Sequence, residues 1–193
     1  AVDSNATYGD QPLQLIGATD SGLPVEFESS DPSVLEVVGD QLVVTGAGEA
    51  VIYAWAYGDA NWNQSDELNA TVTVHTAQLE VIAHDEEKEY LEPNPELSFH
   101  YEGFVNDENA TALEQAPEIF TTADDSSESG VYDVNATGGF DSNYHFVYHG
   151  AQLIVGATGQ NVIDFAVDSN ATYGDQPLQL IGATDSGLPV EFE

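Results

Sequence analysis

Apolar and polar residues alternate along this chain in short runs, separated by clusters of Gly, Asp, Asn and Pro. A period of two places every second side chain on one face of a half-buried strand, and runs this short exclude long amphipathic helices. The pattern predicts strands over 13–16, 25–28, 35–38, 41–45, 50–57 and 68–74 in the first half. In the second half it predicts strands over 77–83, 97–101, 119–122, 130–136, 144–148 and 151–155, and then one more over 160–165. Residues 50–57 are apolar or small on both faces, as a central strand requires. Turn chemistry fits between the runs. Asp20-Ser21-Gly22 and Val38-Gly39-Asp40 offer positive φ at Gly, Asp31-Pro32-Ser33 presets φ through Pro, and His149-Gly150 reads as a two-residue hairpin turn. The expected fold is all-β, a tandem of small β-sandwiches arranged as beads on a string.

Residues 166–193 repeat residues 1–28 letter for letter, at an offset of 165. That period is far longer than the roughly 20–50 residues of a solenoid repeat and suits one large or two small globular domains. The expected organisation is a β-sandwich lacking its first strand at 1–76, a second β-domain at 77–157, and the start of the next repeat at 158–193. On this reading the strand formed by Gln160, Asn161, Val162, Ile163, Asp164 and Phe165 opens the following block, and the position before Ala1 is where the first block wants the same strand. Either the 193 residues are a window on a longer continuous chain, or the strand crosses between molecules and joins them head-to-tail.

Charge narrows the partners. Thirty-five Asp and Glu face a single basic residue, Lys88, for a formal net charge of −34. Such a chain has nothing with which to displace counterions, which excludes nucleic acid and disfavours anionic membranes. Its self-repulsion suits salty or calcium-containing surroundings. No apolar run is long enough to span a membrane, and without Cys there is no disulfide or thiol chemistry. The absence of Met implies that Ala1 is not a translation start.

Asn-x-Ser/Thr occurs at Asn5, Asn63, Asn69, Asn109, Asn135 and Asn170. Random placement predicts about 1.5 such sites, so N-glycosylation of an extracellular surface protein is a candidate explanation. The competing one is that Asn-Ala-Thr is a reused turn-to-strand segment.

Several short matches carry a family resemblance. Ala171-Thr172-Tyr173-Gly174-Asp175, Ser186-Gly187-Leu188-Pro189-Val190, Ser29-Ser30-Asp31-Pro32-Ser33-Val34 and Gly58-Asp59-Ala60-Asn61-Trp62 resemble the Ig-like repeats of very large prokaryotic surface proteins. Lys88-Glu89-Tyr90, Pro93-Asn94-Pro95-Glu96-Leu97, Tyr101-Glu102-Gly103-Phe104-Val105 and Gly150-Ala151-Gln152-Leu153-Ile154-Val155 resemble the MBG-type domains that follow such repeats in adhesins. The resemblance implies a stalk, fibre or filament at the cell surface, whose partners are neighbouring copies of itself. The alternative is an adhesin module that grips glycans or a surface. Where that family shows Tyr-Gly this chain has Tyr90-Leu91, which predicts a different local turn.

No nucleophile elbow, phosphate loop or zinc spacing is present, and with 35 carboxylates an adjacent pair carries no information, so no enzyme activity is expected. Calcium is the metal that tolerates irregular oxygen-rich loops. Its candidate ligands are Asp85, Glu86, Glu87, Asp107, Glu108, Asp124 and Asp125, with plain solvated acidic surface as the alternative. Lys88, between Glu87 and Glu89, is expected in an ordinary surface ion pair. The aromatic residues, Trp55, Tyr57 and Trp62 among them, are expected mostly in the core.

Overall fold

A computed structural model of the chain describes residues 5–157, 159, 163–165, 182–184 and 188. The first half contains β1 (Asn5–Thr7), β2 (Leu13–Gln14), β3 (Glu26–Ser29), β4 (Leu35–Val38), β5 (Gln41–Val44), β6 (Gly48–Trp55) and β7 (Leu68–His75). They form two sheets, β1-β7-β6-β3 and β2-β5-β4. The second half contains β8 (Ala77–Ala83), β9 (Glu86–Glu89), β10 (Phe99–Glu102), a 3-10 turn at Ala110–Ala112, β11 (Gln115–Thr121), β12 (Gly130–Phe140), β13 (Tyr144–His149) and β14 (Ala151–Gly156). Its sheets are β10-β8-β13 and β11-β12-β14-β9. Further on, β15 (Ile163–Phe165) and β16 (Gly182–Thr184) form an antiparallel pair.

The fold is all-β and sandwich-like, and the alternation read from the sequence is the alternation of burial. In β8, Ala77, Leu79, Val81 and Ala83 are buried while Gln78 is exposed. In β5 and β7 the inward residues are Leu42, Val44, Val72 and Val74. The expected central strand is central, since β6 lies between β3 and β7.

The two halves share one edge arrangement. A short strand runs parallel to the last strand of its own half, β1 to β7 and β9 to β14. It ends in a tight turn, with Asp10 N donating to Thr7 O (2.9 Å) and Glu92 N donating to Glu89 O (3.2 Å). These two edge strands escaped the sequence reading because they are short and polar: Asn-Ala-Thr and Glu-Glu-Lys-Glu carry no apolar alternation.

The structure overturns two local expectations. His149-Gly150 is not a hairpin turn. β13 pairs with β8 in one sheet while β14 pairs with β12 and β9 in the other, so the chain crosses between layers there. Lys88 is not at the surface. It is 7% exposed, and its ammonium donates to the carbonyls of Glu92 (2.9 Å) and Asp124 (2.6 Å). Strand alternation turns Lys88 inward from β9 while Glu87 and Glu89 face water.

Candidate functional site at the junction of the two halves

Only Thr76 separates β7 from β8. A connector of one residue leaves little room for hinge motion, and side chains from both halves close over it. One continuous core runs through the junction, joining Ala6, Tyr8 and Val74 to Ala77, Leu79 and Tyr144.

The centre of the contact is Glu108. Tyr8 from the first half and Tyr144 from the second donate their hydroxyls to its two carboxylate oxygens, each at 2.7 Å. The Tyr144 oxygen in turn accepts from the Val105 amide (3.0 Å). The Tyr8 and Tyr144 rings meet edge-to-face at 5.6 Å, and the series continues through Phe104, Tyr101 and Phe99 with centroid spacings of 5.3–5.5 Å. These are favourable aromatic geometries, and they carry the packing from the first half deep into the second. Burial, and then the Glu108 carboxylate as acceptor, push the Tyr144 hydroxyl well above its ordinary pKa; burial leads the smaller rise at Tyr8.

Polar bonds pin the rim. Asn143 accepts from the Ala47 amide through Oδ1 (2.8 Å) and from the Ala77 amide through its main-chain oxygen (2.9 Å). Thr76 Oγ1 and His145 Nδ1 are hydrogen-bonded at 3.0 Å. Gly9, at φ +92°, lies where an added Cβ would come within 2.6 Å of Val105, so both its conformation and its close approach require glycine.

The sequence candidates fall elsewhere. Asn5, Asn63, Asn69, Asn109 and Asn135 are all exposed, and Asn109 caps the 3-10 turn by accepting from Thr111 N (3.0 Å). Asn170 lies outside the described residues. The acidic candidates are not brought together. Asp85 accepts from Gln152 N, Glu108 serves the junction, Asp124 accepts from Ser126 and Ser127, and Asp125 accepts from Asn94 N. Glu86 and Glu87 lie on β9, and Asp107 sits at φ +58° in its loop. Among the described residues no group of three or more His, Cys, Asp or Glu is placed to hold a metal ion. Of the inter-unit strand, Ile163, Asp164 and Phe165 form β15, while Gln160, Asn161 and Val162 lie outside the described residues.

Two groupings had no linear signal. Tyr8 and Glu108 are 100 residues apart. His84 Nε2 and His100 Nδ1 are hydrogen-bonded at 2.7 Å because β8 and β10 run antiparallel beside each other. The aromatic expectation held only in part, since Tyr57 and Trp62 are exposed.

Residues 79–154 match the model of the MBG domain (YGX type), which covers nearly all of the second sheet pair. No curated protein matches the chain. Within the matched segment the Tyr-Gly-X position is occupied by Tyr90-Leu91-Glu92, and Leu91 adopts φ +68°. The sequence predicted a different turn here, yet the left-handed backbone that a glycine would supply is kept without one.

Proposed function

We propose that this chain, whose second half is of the MBG type, is a structural repeat unit of an extracellular stalk or filament and not an enzyme. The observation that carries this reading is the continuous core across a one-residue connector, with Tyr8 and Tyr144 sharing Glu108. A protein that transmits reach or tension needs successive domains locked together, and a shared core does this where a flexible linker would not. The exact repetition of residues 1–28 at 166–193 supports the same reading, because it supplies the beginning of a second block. A formal charge of −34 discourages lateral collapse of neighbouring filaments and suits a saline exterior. The first half is Ig-like on this account, the exposed Asn sites are available to glycans, and calcium is not required for the junction.

Protease shaving of intact source cells with mass spectrometry tests the location and the repeat. Peptides of this chain should leave unbroken cells, from a polypeptide many times 20.6 kDa. Retention inside the cells would overturn the reading.

A second reading, an adhesin module for glycans, is favoured by one feature. Tyr57 and Trp62 stand 60% and 46% exposed around the Asp59 turn, in which the Asn61 and Trp62 amides donate to Asp59 Oδ1. Glycan-array binding that is lost in Trp62→Ala would support it over the purely structural role.

A further inference from the structure

We propose that His84 and His100 form a binding site for a divalent transition-metal ion of the copper and nickel class, which clips the edge strand β10 to β8. The inference goes beyond the repeat-unit reading and does not depend on it.

Strand register brings the two side chains together. β10 runs antiparallel to β8 with His100 opposite Ile82, so His84, two residues further on, projects from the same face as His100. The His84 amide donates to Ser98 O at 3.0 Å, which carries the ladder one residue past the end of β8. This face is the outer one, since Leu79 and Val81 point the other way into the core. On it His84 Nε2 and His100 Nδ1 stand 2.7 Å apart. The ring centroids are 5.0 Å apart, so the rings meet edge to edge, nitrogen facing nitrogen.

Each ring is also held from behind. His84 Nδ1 is hydrogen-bonded to Ser98 Oγ at 3.0 Å, and His100 Nε2 lies 3.5 Å from Glu102 Oε1. A carboxylate only accepts, so Glu102 favours the tautomer with the proton on His100 Nε2, which leaves Nδ1 as a lone pair. A hydroxyl can donate or accept, and when Ser98 accepts from His84 Nδ1–H the Nε2 lone pair faces the same gap. Inner nitrogens free and outer N–H groups fixed on oxygen acceptors is the arrangement that metal-ligating histidines use. Without an ion the gap holds one proton in an N–H···N bond. When an ion enters, Ser98 turns from donor to acceptor and no net proton has to leave.

The separation selects the ion. Imidazole nitrogens bind such metals at about 2.0–2.1 Å, so two of them at a right angle stand about 2.9 Å apart, and at a tetrahedral angle about 3.3 Å. The 2.7 Å gap is nearer the first value, the angle of tetragonal Cu2+ and Ni2+ sites. His84 and His100 are both exposed, so the small rotation that turns both lone pairs onto one ion meets little packing, and water completes the coordination. Calcium fits poorly because it takes about six to eight oxygen ligands.

Charge favours a cation at this face. The chain carries −34, and its one Lys or Arg side chain, Lys88, is buried on two carbonyls. Glu80 and Glu102 lie opposite each other on the same outer face. Glu80 is engaged by His149 and Gln78, each at 3.1 Å, so the site rests on two protein ligands. β10 is the edge of its sheet and pairs through only four residues, Phe99–Glu102. A metal bond from β8 to β10 closes the loop of residues 85–99 in a chain that has no cysteine to do so.

Titration of the 193-residue chain with copper(II) at about 1 M salt, which screens the surface carboxylates, tests the site. Calorimetry should resolve one site tighter than the rest, and electron paramagnetic resonance below one equivalent should show coupling to imidazole nitrogen. His84→Ala and His100→Ala, both at exposed positions, should each weaken that site at least tenfold, with unchanged far-ultraviolet circular dichroism. His75→Ala, at an exposed position of β7 in the first half, should not weaken it. Copper should raise the urea midpoint of the parent and of His75→Ala, and leave those of the other two variants unmoved. A tight site undiminished in both His84→Ala and His100→Ala overturns the proposal, as does the lack of nitrogen coupling. So does a larger loss in Glu102→Gln than in either histidine variant, or displacement of copper by an equal concentration of calcium. None of these outcomes bears on the stalk reading, which cell-surface shaving addresses separately.

Discussion

The Tyr8 hydroxyl donates to Glu108 at 2.7 Å, bridging the two halves of the chain, and the second oxygen of the same carboxylate takes the hydroxyl of Tyr144. Hydrogen bonds to a charged acceptor contribute about 1.5–3 kcal/mol each, less where water still reaches them. Tyr8→Phe should therefore cost about 1–2 kcal/mol of stability, and Glu108→Ala more, since it strands two hydroxyls at once. Because the core is continuous, the wild-type halves should unfold in one denaturant transition, and Glu108→Ala should begin to split it into two. Chemical unfolding followed by tryptophan fluorescence, which reports Trp55 and Trp62 in the first half only, and by far-ultraviolet circular dichroism would separate the outcomes.

Leu91 holds a left-handed backbone at φ +68° while its side chain is 64% exposed. A non-glycine residue pays about 1–2 kcal/mol there, and glycine loses about 0.5–1 kcal/mol through unfolded-state entropy. Leu91→Gly should thus stabilise the second half by up to about 1 kcal/mol, with little burial sacrificed. Gly9→Ala, at φ +92° and against Val105, should destabilise. Melting temperatures of the two variants should move in opposite directions.

Lys88 tethers two main-chain carbonyls, those of Glu92 and Asp124, from inside the second half. Lys88→Met keeps most of the apolar stem and removes the donor, leaving carbonyls that must find water. A loss of about 1–3 kcal/mol is expected, measured by urea unfolding. Calcium should not rescue this variant, since the tether is a hydrogen-bond donor and not a carboxylate site.

Tyr101 presents the reverse case, for its buried hydroxyl has no hydrogen-bond partner among the described residues. Tyr101→Phe removes an unsatisfied polar group while keeping the ring contacts to Phe99 and Phe104. The variant should be at least as stable as the parent, and a loss above about 1 kcal/mol in thermal unfolding would contradict the geometry.

Alkaline pH should weaken the fold. Tyr144 and Tyr8 have folded-state pKa values raised above the ordinary 10.0, chiefly by burial. The folded chain keeps protons that the unfolded chain releases, so their contribution is complete below about pH 10 and is lost as pH climbs toward the folded values. Melting temperature should fall above about pH 10, together with the appearance of tyrosinate absorbance, and Tyr144→Phe should flatten that fall.

The all-β class, the central place of β6, the inward faces of β5, β7 and β8, and the existence of a repeat were legible in linear order, because strand alternation and exact duplication are properties of that order. It also located the MBG-type half, through short motifs in the right sequence. Where β13 and β14 part company, which face of an acidic edge strand buries Lys88, and the meeting of Tyr8 and Tyr144 on Glu108 emerged from the folded arrangement. Each of those depends on pairing between strands far apart in the chain, and a polar edge strand carries no periodic signal to announce its register.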